Sequence, residues 1–283
     1  MSGTQRRTVE LQRLSWTELA EAITEHPIIL LPIGTIEQHG PHMPIGNDNM
    51  VAEFVAHRTA EQTNALVAPT INYGCSEVFH NFVGTIPIKP ETLAAMLRDV
   101  CRGLVAQGLR RIVFFDNHGG NEFVCEQVAR ELKAEFGIVV GNVYPWNLGY
   151  QLMRDTYDNP TLAYGHGAEP ETSAMLAMFP EDVMLERKEN GGYRAFNGWQ
   201  AQGYSKVGVP GQAVPGTVYL DADEVAPNGV TGNSDMANAE RGKVWVERVV
   251  GFAVAFVKHF DEVTAAQPTS GTNGVARPAV QKN

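Results

Sequence analysis

The apolar positions of the chain form four short runs, and segments of helical periodicity separate them. The runs predict strands over residues 27–34, 65–72, 110–115 and 137–144, each apolar on both faces. Apolar positions at three- and four-residue spacing predict helices over residues 49–62, 91–107, 121–136, 171–178 and 235–259. Strands of this kind that alternate with helices are typical of a parallel sheet covered on both faces. The pattern therefore predicts an α/β fold with a mostly parallel central sheet flanked by helices.

Two segments near the end of the chain lack this alternation. Residues 191–232 are rich in Gly, aromatic and turn residues without a sustained helical period, which predicts an extended excursion that could cover a site. Residues 266–283 are polar and contain Pro and Gly, so we predict a disordered tail there. Residues 1–265 contain no internal repeat and no charge or glycine run that would divide them, and a single domain is predicted.

The charge balance argues against a nucleic-acid or anionic-membrane partner. The 283 residues carry a formal net charge of -10, and both of those partners require a basic surface. The three cysteines form no CxxC pattern, and the first residues contain no apolar stretch long enough for a signal peptide. No span of about 18 apolar residues is available to cross a membrane. These features predict a cytoplasmic protein with a small-molecule substrate or ligand.

Side chains of metal-ligand type cluster after two of the predicted strands and at the start of a later helix. In parallel α/β sheets, ligands bind beyond the carboxyl ends of the strands, so a site is expected at these positions. Glu37 and His39 follow the first strand, and Asp48 comes after the next loop. The third strand leads into DNHGGNE, which contains His118. The helix predicted at residue 171 begins within GHGAEPETS, which contributes His166, Glu169 and Glu171.

Together the clusters supply a donor set for divalent cations. Two imidazoles and three carboxylates suit Zn(II) or Mn(II), and Asp48 could bridge two ions about 3.5 to 4 Å apart. Each cluster alone has a simpler explanation. Glu171 could be a first-turn carboxylate favoured by the helix dipole, His166 could cap a helix, and the HGGN turn could bind a phosphate. The joint occurrence of the clusters favours the metal site.

Three motifs of the chain resemble those of the creatininase family, namely PIGTIEQHGPHMPIGNDN, FFDNHGGNE and GHGAEPETSAM. The resemblance extends over roughly residues 11–257, with support from YGCSEVFHNFVGT and GVTGNSDMANAERGK. It implies a three-layer creatininase-like fold and a dinuclear metal site with a bridging water. In such a site Glu37 and His118 would hold one ion, and His39 and a later carboxylate would hold the other. Asp48 would bridge them.

One position departs from the family pattern. Creatininases that act on creatinine carry a ligand glutamate two residues after the motif histidine, where this chain has Gly120. The glutamate of the ETS motif is the implied replacement, so Glu171 is the predicted fifth ligand. The departure also puts creatinine in doubt as the substrate. Glu122 is predicted to lie on the following helix and outside the site, whereas participation of Glu169 stays open.

The resemblance also implies roles for residues around the ions. His166 resembles the family's acid/base histidine, and an imidazole that titrates near neutrality suits proton transfer. The implied substrate-binding residues are Tyr73, Ser76, His80 and Trp146. Family members commonly assemble as hexamers, so a homo-oligomer is expected.

These assignments predict a metal-dependent hydrolase that cleaves a C–N bond in a cyclic amide or formamide. The family it resembles includes creatininase, a formamidopyrimidine deformylase, a peptidase of mycofactocin maturation and hydrolases that open keto-inositol rings. Ring opening of a keto-inositol is the main alternative, because the same hydroxide would attack the ring carbonyl. A non-catalytic α/β protein whose HGGN loop binds an anion is the second alternative.

Overall fold

A four-stranded parallel sheet forms the centre of the protein in a computed structural model, which describes residues 6–265. Its strands are β1 (Ile28–Ile33), β2 (Ala65–Val67), β3 (Ile112–Asp116) and β4 (Val140–Val143), in the spatial order β2-β1-β3-β4. All four predicted strands are confirmed. Strand β2 is much shorter than the predicted 65–72, because the pairing slips by one residue after Ala68: the Ala68 N–H bonds to the Leu30 carbonyl, whereas the next carbonyl in phase, that of Pro32, accepts from Ile71. After it, Ile71 makes only an isolated bridge to Ile33.

Helices cover both faces of the sheet and complete three layers, as predicted. They are α1 (Trp16–Ile23), α2 (Asn47–Ala60), α3 (Pro90–Ala106), α4 (Glu122–Phe136), α5 (Pro145–Leu152), α6 (Pro160–Ala163), α7 (Glu171–Met178), α8 (Ala222–Val225) and α9 (Ala239–Ala265). Helices α1, α3 and α4 pack on one face, and α2, α5, α7 and α9 pack on the other. Alternate residues of β1 face the two cores: Ile28 and Leu30 face the α2 side, and Ile29 and Leu31 face the α3 side. This double burial explains the uninterrupted apolar run of β1.

Helix boundaries differ from the predictions where capping decides them. Helix α9 was predicted over residues 235–259 but starts at Ala239 and extends to Ala265. The side chain of Asn238 accepts the backbone N–H of Arg241 at 2.8 Å, which sets the start as an N-cap does. Helices α1 and α5 were not predicted. Helix α1 begins with a capping box formed by Ser15 and Glu18, a signal that the sequence did contain.

The 191–232 excursion contains a second, small antiparallel sheet. Its strands are β5 (Ala195–Phe196), β6 (Trp199–Ala201), β7 (Lys206–Gly208) and β8 (Gly216–Thr217). The excursion has no helix longer than the single turn of α8, as its lack of helical period predicted. The tail predicted over residues 266–283 lies outside the described residues, and the single-domain assignment stays a prediction. Within residues 6–265, no helix has the length and apolarity needed to span a membrane.

Candidate metal centre

Four of the predicted ligands meet at the carboxyl edge of the central sheet. Glu37 and His39 follow β1, Asp48 lies in the first turn of α2, and His118 follows β3. Asp48 Oδ1 is 3.2 Å from His39 Nε2, and Asp48 Oδ2 is 3.2 Å from His118 Nδ1. Glu37 Oε2 is 3.4 Å from the same His118 nitrogen. Asp48 therefore lies between two imidazoles, which is the arrangement that a bridging carboxylate requires.

Backbone carbonyls determine which imidazole nitrogens carry protons. His39 Nδ1 lies 3.2 Å from the carbonyl of Glu37, and His118 Nε2 lies 3.1 Å from the carbonyl of Cys75. A carbonyl oxygen can only accept, so both of these nitrogens donate. The opposite nitrogens face the carboxylates, where each would carry a proton when no ion is bound and would offer its lone pair to a bound ion. Histidines that bind metals are typically held in this way, with the remote N–H on a carbonyl.

The donor set fits divalent cations. Glu37 Oε2 and Asp48 Oδ2 are buried and accept no hydrogen bond from the described residues. Ionised carboxylates in this state are costly unless a cation or a proton compensates them. Two overlapping donor groups have ligand atoms within 4.8 Å of one another, Glu37/His39/His166 and Glu37/Asp48/His118. Their mixture of imidazole nitrogen and carboxylate oxygen suits Zn(II) or Mn(II).

Protons compensate the carboxylates when no ion is bound. Burial lowers the pKa of His39 and of His118, but the adjacent carboxylates outweigh it. The net pKa rises to about 9 for His39, chiefly through Asp48, and to about 10 for His118, through Glu37 and Asp48. Burial raises the pKa of Glu37 above its usual range. Burial acts the same way on Asp48, but His39 and His118 hold its pKa below the ordinary value.

Glu171, the predicted fifth ligand, lines the same cavity at the start of α7. Its Oε1 accepts the hydroxyl of Tyr150 at 2.8 Å, and its Oε2 accepts the backbone N–H of Gly167 at 2.9 Å. Burial raises its pKa to about 7. Each carboxylate oxygen has a second lone pair, so these bonds orient Glu171 and still leave it able to bind an ion. It is not a member of either compact donor group.

His166 lies between two aromatic rings at the edge of the centre. Its ring centroid is 4.4 Å from that of His39 and 4.5 Å from that of Phe79. Its Nε2 donates to the carbonyl of Gln38 at 2.8 Å, which leaves Nδ1 facing Glu37 Oε1 at 3.8 Å. Burial, followed by the charge of His39, lowers the pKa of His166 to about 3, so the imidazole is neutral at neutral pH. A free Nδ1 lone pair therefore points at the centre.

A cavity of about 500 Å³ opens over these groups. Trp146 lines it, but the indole N–H donates to Asp48 Oδ1 at 2.8 Å. Tyr73, Ser76 and His80 do not line it, contrary to expectation. Tyr73 is 47% exposed outside it, Ser76 is buried against the Thr35 hydroxyl, and His80 bonds to the carbonyl of Glu77 at the surface. These three residues belong to the motif YGCSEVFHNFVGT. Other side chains of that motif do line the cavity, namely Cys75, Glu77, Val78 and Phe79.

Several cavity residues were absent from the sequence-based set. Tyr144 follows β4 directly, so the strand-exit rule that identified Glu37 could also have identified it. Phe123 lies at the start of α4, and Tyr204 comes from the excursion with its ring 5.1 Å from Phe79. No sequence signal marked Tyr204, because the position of the excursion depends on tertiary packing. Its presence in the cavity wall supports the idea that the excursion covers a site.

Two further acidic residues lie outside the centre. Glu122 is exposed at the first position of α4 and does not line the cavity, which agrees with its predicted place on the helix. Glu169 is buried but turned away. Its carboxylate accepts the hydroxyls of Tyr157 at 2.6 Å and Ser173 at 2.8 Å, and both oxygens are used in this way. Unlike Glu171, Glu169 does not line the cavity, so these bonds give it a structural role in the packing of α7.

Gly120 has no room for a side chain. A Cβ atom there would lie 2.1 Å from the Cys75 carbonyl oxygen and 2.6 Å from His118 Nε2. These are the two atoms whose hydrogen bond orients His118. A glutamate at this position is therefore excluded unless the Cys75 segment moves. The lack of room at Gly120 agrees with the sequence, which has glycine where the family pattern implied a ligand glutamate.

Replacing Gly120 with alanine is expected to weaken metal binding about tenfold or more, because loss of the carbonyl that orients a ligand histidine typically costs this much. The measurement is a chelator competition titration together with a thermal melt. Gly103→Ala is the matched control, since Gly103 lies within α3 with no atom near the added Cβ. That variant should keep its metal affinity and unfold at the same or a slightly higher temperature. Wild-type affinity in G120A would contradict the steric argument.

Comparison with known proteins connects this geometry to a family. The family model described as Creatininase: Creatinine amidohydrolase matches residues 12–257. A creatinine amidohydrolase from Pseudomonas putida is 32% identical over 197 residues, which cover 64% of this chain and 76% of that protein. A mycofactocin precursor peptide peptidase from Mycobacterium tuberculosis is 29% identical over 255 residues, covering 86% and 89%. A 3-dehydro-scyllo-inosose hydrolase from Thermotoga maritima is 27% identical over 272 residues, covering 90% and 84%.

Solved structures agree with the sequence relatives. A creatininase mutant described as Zn-Zn type and a creatininase described as containing Mn each align with a TM-score of 0.71 at 26% identity. The alignment covers 90% of this chain and 99% of theirs. The family match spans both the central sheet and the cluster at its carboxyl edge. We conclude that this chain belongs to the creatininase family and is a metal-dependent hydrolase of the amidohydrolase type.

Proposed function

We propose that the protein hydrolyses a C–N bond of a small cyclic amide or formamide with the aid of two divalent ions, zinc or manganese. The observation that carries the proposal is the position of Asp48, whose two carboxylate oxygens each face an imidazole nitrogen at 3.2 Å. Glu37 and His118 would hold one ion, and His39 with Glu171 the other. Asp48 would contact both.

A residue of the chain can accept and then donate the proton that such a reaction transfers. Ions bound there would make water nucleophilic at neutral pH and polarise a carbonyl group. The neutral His166 presents Nδ1 to the centre while its Nε2–H stays on the Gln38 carbonyl. It would accept the proton released when water attacks and return it to the leaving nitrogen. The pKa of about 3 is well below the near-neutral value expected from the sequence, so His166 would be a ready proton donor in the second step and a weak base in the first.

The cavity indicates a small and flat substrate. Its volume of about 500 Å³ lies within the range of small-molecule sites. Aromatic side chains form much of its wall, namely Phe79, Phe123, Tyr144, Tyr150 and Tyr204. Such rings stack on planar groups, and a cyclic amide is planar at the bond to be cleaved.

Ring opening of a keto-inositol is the second candidate. The Thermotoga maritima relative spans 90% of this chain, and Gly120 removes the ligand position expected of enzymes that act on creatinine. The same residues would serve that reaction, because a ring ketone also presents a carbonyl carbon to the attacking water. The two candidates differ in the leaving group, which is nitrogen in one case and carbon in the other.

A substrate panel tests the proposal. The protein is loaded with Zn²⁺ or Mn²⁺, its metal content is measured, and creatinine, dihydropyrimidines, N-formyl amines and keto-inositols are assayed. Turnover of an amide or formamide that disappears on chelation is expected, with two ions per chain. Turnover of keto-inositols alone would favour the second candidate. Absence of both bound metal and turnover would leave a non-catalytic ligand-binding protein.

Metal affinity is expected to rise with pH between about 6 and 8. His39 and His118, with pKa values of about 9 and 10, are protonated in the metal-free chain over this range, so each ion must displace a proton. Raising the pH lowers the concentration of the competing proton, and linkage gives about tenfold in affinity per pH unit for each proton released. Calorimetry in two buffers of different protonation enthalpy counts the protons. An affinity independent of pH would contradict this account.

We also propose that the protein works in the cytoplasm as a homo-oligomer, a hexamer by family resemblance. Exposed apolar side chains support an oligomer, since Val83 is 99% exposed and Ile45 and Ile86 are each more than two-fifths exposed. Ile45 and Gly84 are adjacent, so these residues form one patch. Light scattering on the purified chain would determine the state, and a monomer would reject the proposal.

A further inference from the structure

Three hydrogen bonds form a closed ring around Asp48. The indole N–H of Trp146 donates to Asp48 Oδ1 at 2.8 Å, and the backbone N–H of Trp146 donates to Asn117 Oδ1 at 2.9 Å. Asn117 Nδ2 closes the ring by donating to the backbone carbonyl of Asp48 at 3.3 Å. All three residues are buried, with exposures of 1%, 0% and 4% for Asp48, Asn117 and Trp146. The ring joins the first turn of α2, the end of β3 and the first turn of α5.

Asn117 acts as a remote cap of α5. The first N–H groups of a helix have no partner within it, and the N-cap residue Tyr144 supplies no side-chain bond here. Asn117 accepts one of these N–H groups from across the sheet edge. Pro145 at the first helical position further restricts the backbone. The start of α5, and with it the indole of Trp146, is thereby held at a defined distance from Asp48.

The indole bond determines how the Asp48 carboxylate is turned. A carboxylate can rotate about its last bond, and a donor on one oxygen restricts that rotation. Oδ1 takes the indole N–H and faces His39, whereas Oδ2 accepts no hydrogen bond and faces His118. The indole bond therefore holds the plane of the carboxylate in the one orientation that directs an oxygen at each imidazole.

We propose that Trp146 and Asn117 are positioning residues that orient Asp48 toward two ions. This role differs from the substrate contact implied for Trp146 by family resemblance. The inference rests on the proposed dinuclear function. A substrate contact would act on KM and leave metal affinity unchanged, whereas a positioning residue acts on metal affinity even when no substrate is present. Metal binding alone can therefore separate the two roles.

The test is a competition titration of Zn²⁺ against a chromophoric chelator, with the full chain and no substrate. Trp146→Phe removes the indole N–H and keeps an aromatic ring against Trp245, whose centroid is 5.4 Å away. Its zinc dissociation constants are expected to rise about 10- to 100-fold, the usual effect of losing a bond that orients a ligand. Asn117→Ala, which removes the other two bonds, should weaken binding in the same direction and serves if W146F does not fold.

Trp245→Phe is the matched control. It also replaces an indole by a phenyl ring, at the tryptophan that packs against Trp146. The indole N–H of Trp245 is buried and has no acceptor among the described residues, so its loss removes no hydrogen bond. Its metal affinity should equal that of the wild type. Wild-type zinc affinity in both W146F and N117A, with a raised KM in W146F, would overturn the inference and make Trp146 a substrate contact. A wild-type chain that binds no zinc would instead overturn the proposed function, and the inference with it.

Discussion

Replacing Asp48 with asparagine is expected to abolish the binding of both ions and to reduce turnover to the level of the chelator-treated protein. One carboxylate faces both histidines, so its loss affects both ions together. The fold should survive, because an amide can still accept the Trp146 indole N–H at Oδ1. Its nitrogen, in place of Oδ2, can donate to His118 Nδ1. Elemental analysis of the purified variant is the measurement.

Asp116→Asn is the control for this prediction. Asp116 is a second buried aspartate at a strand end, and its Oδ1 accepts the side chain of Asn121 at 3.1 Å and the backbone N–H of His118 at 3.3 Å. Burial raises its pKa to about 7, so a neutral amide is a mild change. This variant should retain two ions. If D48N also retained both ions and its activity, Asp48 would not be the bridging ligand, and a single retained ion would reduce Asp48 to a ligand of one metal.

Replacing His166 with glutamine is expected to slow turnover by about a hundredfold or more while both ions stay bound. A positioned acid/base group commonly contributes this much. The glutamine amide can still donate to the Gln38 carbonyl, as Nε2 does, but it offers no basic nitrogen in the place of Nδ1. The loss should therefore appear in kcat under saturating metal. Turnover rates and metal content are measured on the same preparation.

His42→Gln provides the comparison for H166Q. His42 is also buried, with Nε2 3.0 Å from the Thr172 hydroxyl, but it does not line the cavity. Its replacement should leave the rate within a few-fold of the wild type, as expected for a group outside the proton path. Loss of one ion from H166Q would identify His166 as a ligand of the Glu37/His39/His166 group. Unchanged turnover in H166Q would reject its proton-transfer role.

The layered fold was largely predictable, because its signals are local. Strand β1 is buried on both sides, so its apolar run has no polar interruption and identifies a central strand. Helix α7 begins and ends where its pattern predicts. The errors occur where a distant or non-periodic contact decides the boundary, as with the Asn238 cap of α9. The start of helix α5 is held by Asn117, which lies 29 residues earlier in the chain, and periodicity alone did not reveal it.

The predicted ligands were identifiable because the topology places them. Parallel strands end at one edge, so the residues after β1 and β3 meet there whatever the loops between them do. The cavity wall was less predictable. Ser76 and Phe79 belong to one motif, yet Phe79 lines the cavity and Ser76 is buried against Thr35. The direction of a loop side chain depends on the turn that carries it, and no period in the sequence specifies that direction.

The alternation of strands and helices and the chemistry at the strand ends are encoded locally, because both depend on nearest-neighbour backbone geometry and on residue type. Two features appear only in the folded chain: the indole of Trp146 bonds to Asp48, a residue 98 positions away, and Tyr204 forms part of the cavity wall. Contacts at such separation arise from the packing of whole elements against one another. The orientation of a side chain in such a contact is therefore a property of the folded core, which local patterns do not encode.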